Sequence, residues 1–342
     1  MRTRLERKLT STWYGRRTPG PVLRTLAWCY GHAYRVAQHR ERKAYATDLV
    51  GAPIVVVGNL TAGGAGKTPL VIHLCRLLRD AGFNPGVISR GYGRRSRGAV
   101  LVEDGHDADE VGDEPLLIHE SCGIPVLVSE DRCGAARGLF RLGVDVVVSD
   151  DGLQRRRLPR VIEVCVVDGQ RGFGNGRLLP AGPLREPMSV LKTLDHVLSN
   201  GDAQHPSIGT VDAVIRLQAG RPLSLCGMRG AGIEELARQS GDTPLEAIAG
   251  IGHPARFFAT LEAAGIHAHH HAFPDHHRFS REDFRQLEGR TLIMTAKDAI
   301  KCRKLGLENA WYLPVEAVTP VAWNAEFLRS IARVTGREER QP

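Results

Sequence analysis

No run of apolar residues in this chain approaches the ~18 needed for a membrane-spanning helix, so none is expected. The basic start is not followed by an apolar core or a small-residue cleavage site, and no signal peptide is read there. Cysteine is sparse. There are 7, an odd number, and none is spaced Cys-x-x-Cys. That argues against a disulfide framework or structural zinc and for a reducing compartment. Cys165 lies inside an apolar, strand-like run and reads as a buried thiol. Aromatic residues are only 6% of the chain and do not interleave with basic residues as a nucleic-acid stacking platform requires. Internal repeats and low-complexity tracts are also missing. Solenoids, disordered chains and nucleic-acid binders are thereby excluded.

What is present is a globular composition, 42% hydrophobic over 342 residues, enough for two domains with substantial cores. The net charge of +8 is concentrated at one end. Residues 1–45 hold eleven Lys and Arg against Glu6 and Glu41, a local surplus of +9 that leaves −1 for the rest. Within this segment Val22, Leu26, Cys29, Ala33 and Val36 recur at helical spacing, joined by Leu23, Tyr30, Tyr34 and Ala37. An apolar stripe flanked by arginines suits an interfacial helix on an anionic bilayer, the reading favoured here over a helix packed on its own domain.

The most informative string runs from residue 54 to 68, Ile-Val-Val-Val-Gly-Asn-Leu-Thr-Ala-Gly-Gly-Ala-Gly-Lys-Thr. A β-branched strand breaks into a glycine-rich turn, and a helical pattern follows at Pro69, Leu70, Val71, Leu74, Leu77 and Leu78. This is a P-loop. Its main-chain N–H groups, turned inward where glycine allows φ > 0, cradle phosphates at a helix N-terminus. The loop predicts a nucleotide contact from Thr61, Ala62, Gly63, Gly64, Ala65, Gly66, Lys67 and Thr68, with Lys67 on the β- and γ-phosphates and the Thr68 hydroxyl on Mg²⁺. Thr61 stands where the strict pattern has glycine.

Alternating strand and helix patterns follow: strands at 85–89, 124–128, 144–148 and 161–167, a short edge element at 99–102, helices at 111–119 and 132–142. They predict a P-loop NTPase-type, doubly wound, mostly parallel α/β sheet. Residues 171–187 read as a long Gly/Pro loop of the functional kind. Residues 212–217 and 222–225 read as paired strands of a hinge ribbon, and a smaller α/β unit follows. The partition expected is a basic N-terminal region (1–45), a nucleotide-binding core (46–205), a hinge ribbon (206–240) and a smaller C-terminal domain (241–342).

Ligands on such sheets bind at the carboxyl ends of strands. Asp150 and Asp151 follow an apolar strand, the place where a P-loop site holds Mg²⁺. Asp113 and Glu114 offer a second acidic pair, one carboxylate for a metal and one to accept a proton from a hydroxyl, or an acidic first helical turn beside Pro115. Arg90 and Tyr92 follow a strand and could meet a phosphate or sugar. Arg155, Arg156 and Arg157 are a basic run suited to an anion or to solvent. Residues 267–271 carry four histidines without a second cluster to complete a metal site. Asp275-His276-His277 could place a carboxylate on an imidazole. Lys297 and Asp298, after a strand, could contact a nucleobase.

Seven strings occur in order: Gly58-Asn59-Leu60-Thr61 entering the P-loop, Ser89-Arg90-Gly91-Tyr92-Gly93, Gly112-Asp113-Glu114-Pro115, Asp150-Asp151-Gly152-Leu153-Gln154, Pro180-Ala181-Gly182-Pro183-Leu184-Arg185-Glu186, Asp275-His276-His277 and Thr295-Ala296-Lys297-Asp298. Over residues 20–335 the chain resembles the tetraacyldisaccharide 4′-kinases, the lipid A 4′-kinases of the Gram-negative envelope. The resemblance implies a membrane-surface kinase that moves the γ-phosphate of ATP to the 4′-hydroxyl of a tetraacylated glucosamine disaccharide 1-phosphate. It implies ATP and Mg²⁺ as cofactors. Thr68, Glu114, Asp150 and Asp151 match the metal shell, Asp113 and His276 the catalytic pair, and Arg90, Tyr92 and Gln154 the lining of the active site. Ala296 departs from the family's usual Glu. A peripheral place on the cytoplasmic side of the inner membrane is implied, with no nucleic acid and no obligate protein partner. A P-loop GTPase or metallochaperone-type ATPase, and a nucleotide-gated membrane adaptor, are the competing readings.

Overall fold

The structure, a computed structural model, describes residues 4–15, 17–44, 50–225, 230, 232, 235–236 and 244–337. Much of the expected ribbon's second half, 226–240, lies outside the described residues. Two helices open the chain, α1 (Arg4–Trp13) and α2 (Pro21–Ala44). Among the described residues no helix is long and apolar enough to cross a membrane.

The first sheet has nine strands. They are β1 (Ile54–Gly58), β2 (Pro85–Ser89), β3 (Val100–Leu101), β4 (Val126–Val128), β5 (Val146–Asp150), β6 (Ile162–Asp168), β7 (His196–Asn200), β8 (Ala213–Ala219) and β14 (Val315–Val318). Their order is β14-β8-β7-β6-β1-β5-β2-β4-β3. The strands from β8 to β4 run parallel; β14 and β3 are antiparallel edges. β1 lies between β5 and β6, so the P-loop leaves the sheet where the winding direction reverses. All five residues of β1 are buried. Val55 and Val57 join a core on one face while Ile54 and Val56 join a core on the other, as the strand period dictates for a sheet covered on both sides. Helices α3 (Lys67–Asp80) and α5 (Asp113–Cys122) cover the first face, and α6 (Arg132–Arg141) covers the second. A short helix, α4 (Ala108–Val111), precedes α5.

The second sheet is smaller, with order β11-β10-β12-β13-β9. Its strands are β9 (Leu223–Ser224), β10 (Leu245–Ala249), β11 (Ala268–Ala272), β12 (Leu292–Thr295) and β13 (Ala310–Leu313). Helices α7 (Pro254–Ala263) and α8 (Ala296–Cys302) flank it.

The ribbon between the sheets is built differently from the sequence reading. Residues 212–217 and 222–225 do not pair with each other. β8 pairs antiparallel with β14, and β9 pairs antiparallel with β13. The chain therefore crosses between sheets twice, side by side, and the Gly220 N–H donates to the Pro314 carbonyl at 2.9 Å where the crossings meet. The final helix, α9 (Val321–Thr335), returns to the first sheet, where Trp323, Phe327 and Ile331 enter its core. The partition at 241 had placed these residues with the smaller unit. Their apolar face has the right spacing for either core, and only the pairing of β14 carries it back.

Candidate active site

The P-loop begins the site. Gly66 caps α3 at φ 89°, and a Cβ there would sit 2.1 Å from the amide nitrogen of Asn200. That nitrogen donates to the Ala65 carbonyl at 2.9 Å, so glycine lets β7 buttress the loop. The Ala62 N–H is used inside the fold, donating to Pro183 O at 2.8 Å. It tethers the 177–186 loop to the P-loop and is not among the free donors, contrary to expectation. Thr61 is buried, and its hydroxyl accepts from Asn59 at 3.2 Å. Gly63 and Gly64 are exposed, and Thr68 is half-buried in the first turn of α3.

Lys67 is buried, with its ammonium 3.2 Å from Asp151 and 3.4 Å from the side-chain oxygen of Asn59. Arg185 grips Asp151 with one nitrogen on both oxygens, at 2.9 and 3.1 Å. Burial favours the neutral acid, but Lys67 and Arg185 outweigh it and hold Asp151 well below the usual carboxylate range. Asp150 is the opposite case. Neither of its oxygens has a hydrogen-bond partner, and it is 1% exposed. Burial, with Glu114 nearby, pushes it up to about 7. Buried Arg132 fixes the strand ends around it, donating to Ile88 O, Ser149 Oγ and Asp150 O at 3.2, 3.0 and 2.9 Å. Burial lowers this guanidinium to about 10.

Asp113 opens α5 and His276 follows β11 in the other unit. The fold brings them together: His276 Nδ1–H donates to Asp113 Oδ2 at 3.1 Å. His276 adopts φ 56°, a left-handed conformation uncommon for a non-glycine residue. Asp113 is buried; burial opposes its charge, yet the His276 hydrogen bond and the Lys297 charge prevail and lower it to about 2. Tyr92 packs on the imidazole, ring centroids 4.8 Å apart. The carboxylate that orients His276 is thus Asp113, not the neighbouring Asp275, which lies 3.9 Å from Nε2. His277 points elsewhere, to Asp283 at 3.2 Å.

Lys297, read from sequence as a nucleobase contact, instead sits at this junction. Its ammonium is 3.1 Å from Glu114, 3.4 Å from His276 Nε2 and 3.6 Å from Asp113. Three nearby carboxylates overcome its burial and raise its pKa. Asp298 is fully buried and structural, accepting from Thr295 Oγ1 at 2.7 Å and the Gly250 N–H at 2.8 Å. Arg90 is exposed at the end of β2. Gln154 donates to the Asn59 carbonyl at 3.0 Å and to Glu186 at 3.2 Å, so its amide braces the P-loop entrance. Arg156 is not part of a solvated run; it pairs with Glu163 and fully buried Glu186. Of the histidine run, His269 and His271 contact buried Glu246.

A second contact binds the units beside the P-loop. Asp168, at the end of β6, accepts from His253 Nδ1 and Arg256 Nη2, both at 3.1 Å. Arg256 also donates to Asn200 O at 3.2 Å. Burial disfavours the Asp168 charge, but these partners lower it to about 2. Gly252 approaches so closely that a Cβ would lie 2.5 Å from the Gly64 nitrogen. Asp168, Asn200, Arg132 and Arg185 all escaped the sequence reading as site residues, and Lys297 was read for another role. Only Arg185 carried a signal, its place in the Pro180–Glu186 string.

α2 lies over the 177–186 loop. Tyr30 OH donates to Arg185 O and Tyr34 OH to Glu186 Oε1, at 2.9 and 2.8 Å. Leu23, Tyr30 and Tyr34 turn toward the body. Val22, Leu26 and Val36 are 71%, 50% and 53% exposed, and Cys29 and Ala33 are exposed with them. The apolar stripe is therefore not a packing face of the protein's own core.

The family model for LpxK, tetraacyldisaccharide-1-P 4′-kinase, matches residues 20–332. The tetraacyldisaccharide 4′-kinase of Alkalilimnicola ehrlichii is 46% identical over 315 residues, covering 92% of this chain and 93% of that one. That of Halorhodospira halophila is 45% identical over 291 residues, covering 84% and 85%. Among solved structures, an "apo" form of LpxK from Aquifex aeolicus in complex with ATP is similar with a TM-score of 0.72 at 27% identity, covering 91% of this chain and 97% of that one.

Proposed function

This chain belongs to the family of the tetraacyldisaccharide-1-P 4′-kinases, and on that premise we propose how its residues divide the reaction. The reaction itself is phosphorylation of a lipid A precursor, a tetraacylated disaccharide 1-phosphate, at its 4′ position. The donor is ATP, whose β- and γ-phosphates meet the N–H groups of Gly63 to Gly66 and the ammonium of Lys67. Asp151 and Asn59 hold that ammonium in place. Phosphoryl transfer asks little covalent chemistry of the protein; it asks for alignment and charge neutralisation.

The residues present fit magnesium. Asp150 presents two buried oxygens without hydrogen bonds, a costly arrangement unless a cation compensates it. Among the described residues no three His, Cys, Asp or Glu side chains cage an ion by themselves. Magnesium commonly takes only one or two carboxylates and completes its shell with water and phosphate. Asp150 would hold it, with Thr68, Asp151 and Glu114 as the further oxygen donors. When bound, it neutralises charge on the phosphates.

The acceptor hydroxyl gives its proton to the Asp113–His276 pair. Asp113 stays ionised and fixes the imidazole tautomer; Tyr92 packs the ring in place, and Lys297 balances the local negative charge. Arg90 and Tyr92 line the acceptor side. The contact between Asp113 and His276, made across two sheets beside a P-loop, carries this assignment. Turnover of γ-labelled ATP with the acceptor in detergent micelles tests it. Labelled phosphate should appear on the lipid only when magnesium is present, and transfer undiminished in excess chelator would remove magnesium from the scheme.

The exposed stripe of α2, with Arg24, Arg35 and Arg40 also exposed, supports peripheral attachment to an anionic leaflet. An acylated acceptor and an ATP donor support a location on the cytoplasmic side of the inner membrane. In flotation with phosphatidylglycerol vesicles, L26E/V36E should lose about 100-fold or more in partitioning, since each buried leucine or valine contributes ~1.5–3 kcal/mol. Equal flotation of variant and wild type would reject attachment through this face.

A further inference from the structure

Helix α2 has a second side, apart from its exposed apolar stripe. Tyr30, Tyr34, Gln38 and Glu41 recur at helical spacing, so they fall within about 80° of one another and span roughly 16 Å of the helix. Each makes a hydrogen bond to one of two loops at the P-loop entrance. Tyr30 and Tyr34 donate to the Arg185 carbonyl and to Glu186 Oε1, at 2.9 and 2.8 Å. Gln38 Nε2 donates to the Gln154 carbonyl at 3.5 Å, and Glu41 accepts the Arg156 N–H at 2.6 Å.

Glu186 joins the two loops. It is fully buried, and its carboxylate accepts from Tyr34, from Arg156 Nη2 at 3.3 Å and from Gln154 Nε2 at 3.2 Å. A buried carboxylate is costly unless such donors satisfy it. Burial and the Glu186 charge raise the pKa of Tyr34, so the phenol keeps its proton and donates. The same Gln154 nitrogen donates to the Asn59 carbonyl at 3.0 Å, and Asn59 Oδ1 accepts from Lys67 at 3.4 Å. Arg185, whose carbonyl Tyr30 holds, grips Asp151, and Asp151 meets Lys67 at 3.2 Å. Both side chains that hold the Lys67 ammonium therefore trace back to α2. Resting on the kinase reading, we propose that Tyr34 and Glu41 are positioning residues for phosphoryl transfer: from α2 they fix Glu186 and the Gln154–Arg156 turn, and so aim Lys67 at the β- and γ-phosphates. They act through Lys67 rather than on the nucleotide.

The test uses the full chain in neutral-detergent micelles, as Y34F, E41A and the double variant, each assayed well below its melting temperature. The calorimetric Kd for magnesium-ATP is read beside kcat and the KM for each substrate. Y34F removes one donor from an ionised carboxylate, so the ATP Kd should rise about tenfold and kcat should fall. E41A should act in the same direction, and the KM for the acceptor should hold in both. In an E186Q background Y34F should cost little more, because its hydroxyl works through that carboxylate. Losses that simply add in that background would cut Tyr34 out of the path to Lys67. A lowered melting temperature with unchanged ATP Kd and kcat would make the contacts merely structural and overturn the proposal. A rise confined to the acceptor KM would give this side of α2 to acceptor binding and overturn it equally. Wild type that binds ATP but transfers nothing to the acceptor would count against the kinase reading, while the ATP Kd of Y34F would still decide the role of Tyr34.

Discussion

The phosphate-binding half of the site is made within one sheet, by the turn after β1 and the end of the adjacent β5, where Lys67 meets Asp151 at 3.2 Å. The proton-accepting half needs both sheets: Asp113 and His276 are 163 positions apart, and Lys297 and Glu114 are 183 apart. Their electrostatics differ in the same way. In the first half, Asp150 is held near neutral pH without a partner while its neighbour Asp151 is ion-paired. In the second, Asp113 and Glu114 each have a partner from the other unit. A P-loop is thus a rigid, local device, whereas the base exists only while the second sheet is seated on the first. Closure of two units around a substrate is a common way to withhold chemistry until the site is complete.

The sharpest way to break this comparison is to damage each half and read binding apart from turnover. His276→Ala and Asp113→Asn should each lower kcat by about 10²–10⁴. The double variant should be little worse than either single one, because the two groups act as a unit. Calorimetric affinity for ATP should stay near wild type in all three. Lys67→Ala should instead cost ATP affinity as well as turnover. If His276→Ala lost nucleotide binding to the same degree, the two halves would not be separable.

A smaller effect concerns the seat between the units. Asp168→Asn leaves His253 and Arg256 without their carboxylate and should lower kcat about tenfold by loosening the second unit over the P-loop. Acid should act on the same contacts. Asp113 and Asp168 have native values depressed to about 2 from an ordinary value near 3.8. Their stabilisation is therefore complete above about pH 4 and is lost as pH falls through about 2. Each contributes roughly 2 kcal/mol. In Asp168→Asn the acid limb of a melting-temperature profile should be shallower; an unchanged limb would remove Asp168 from the seat.

Legibility in the sequence followed locality. From sequence the bounds of β2 stand as they are, and those of β5 and β6 fall within about two residues. Each is an apolar run with its own turn signals. β7, β13 and β14 were not read, because four- or five-residue strands in polar surroundings carry little periodicity. The pairing of β14 with β8 had no sequence signal at all.

By itself the sequence determined that a phosphate cradle exists, that acidic residues follow the adjoining strands, and that an apolar stripe with arginines occupies 21–44. These are properties of consecutive residues, set by glycine's φ freedom and by the periods of helix and strand. Tertiary structure decided the rest: that the Ala62 N–H goes to Pro183, that Arg185 faces Asp151, that Asp113 rather than Asp275 holds His276, and that the stripe of α2 faces outward. Each depends on which surfaces meet when two cores are buried, and burial is proportional to area and indifferent to distance along the chain.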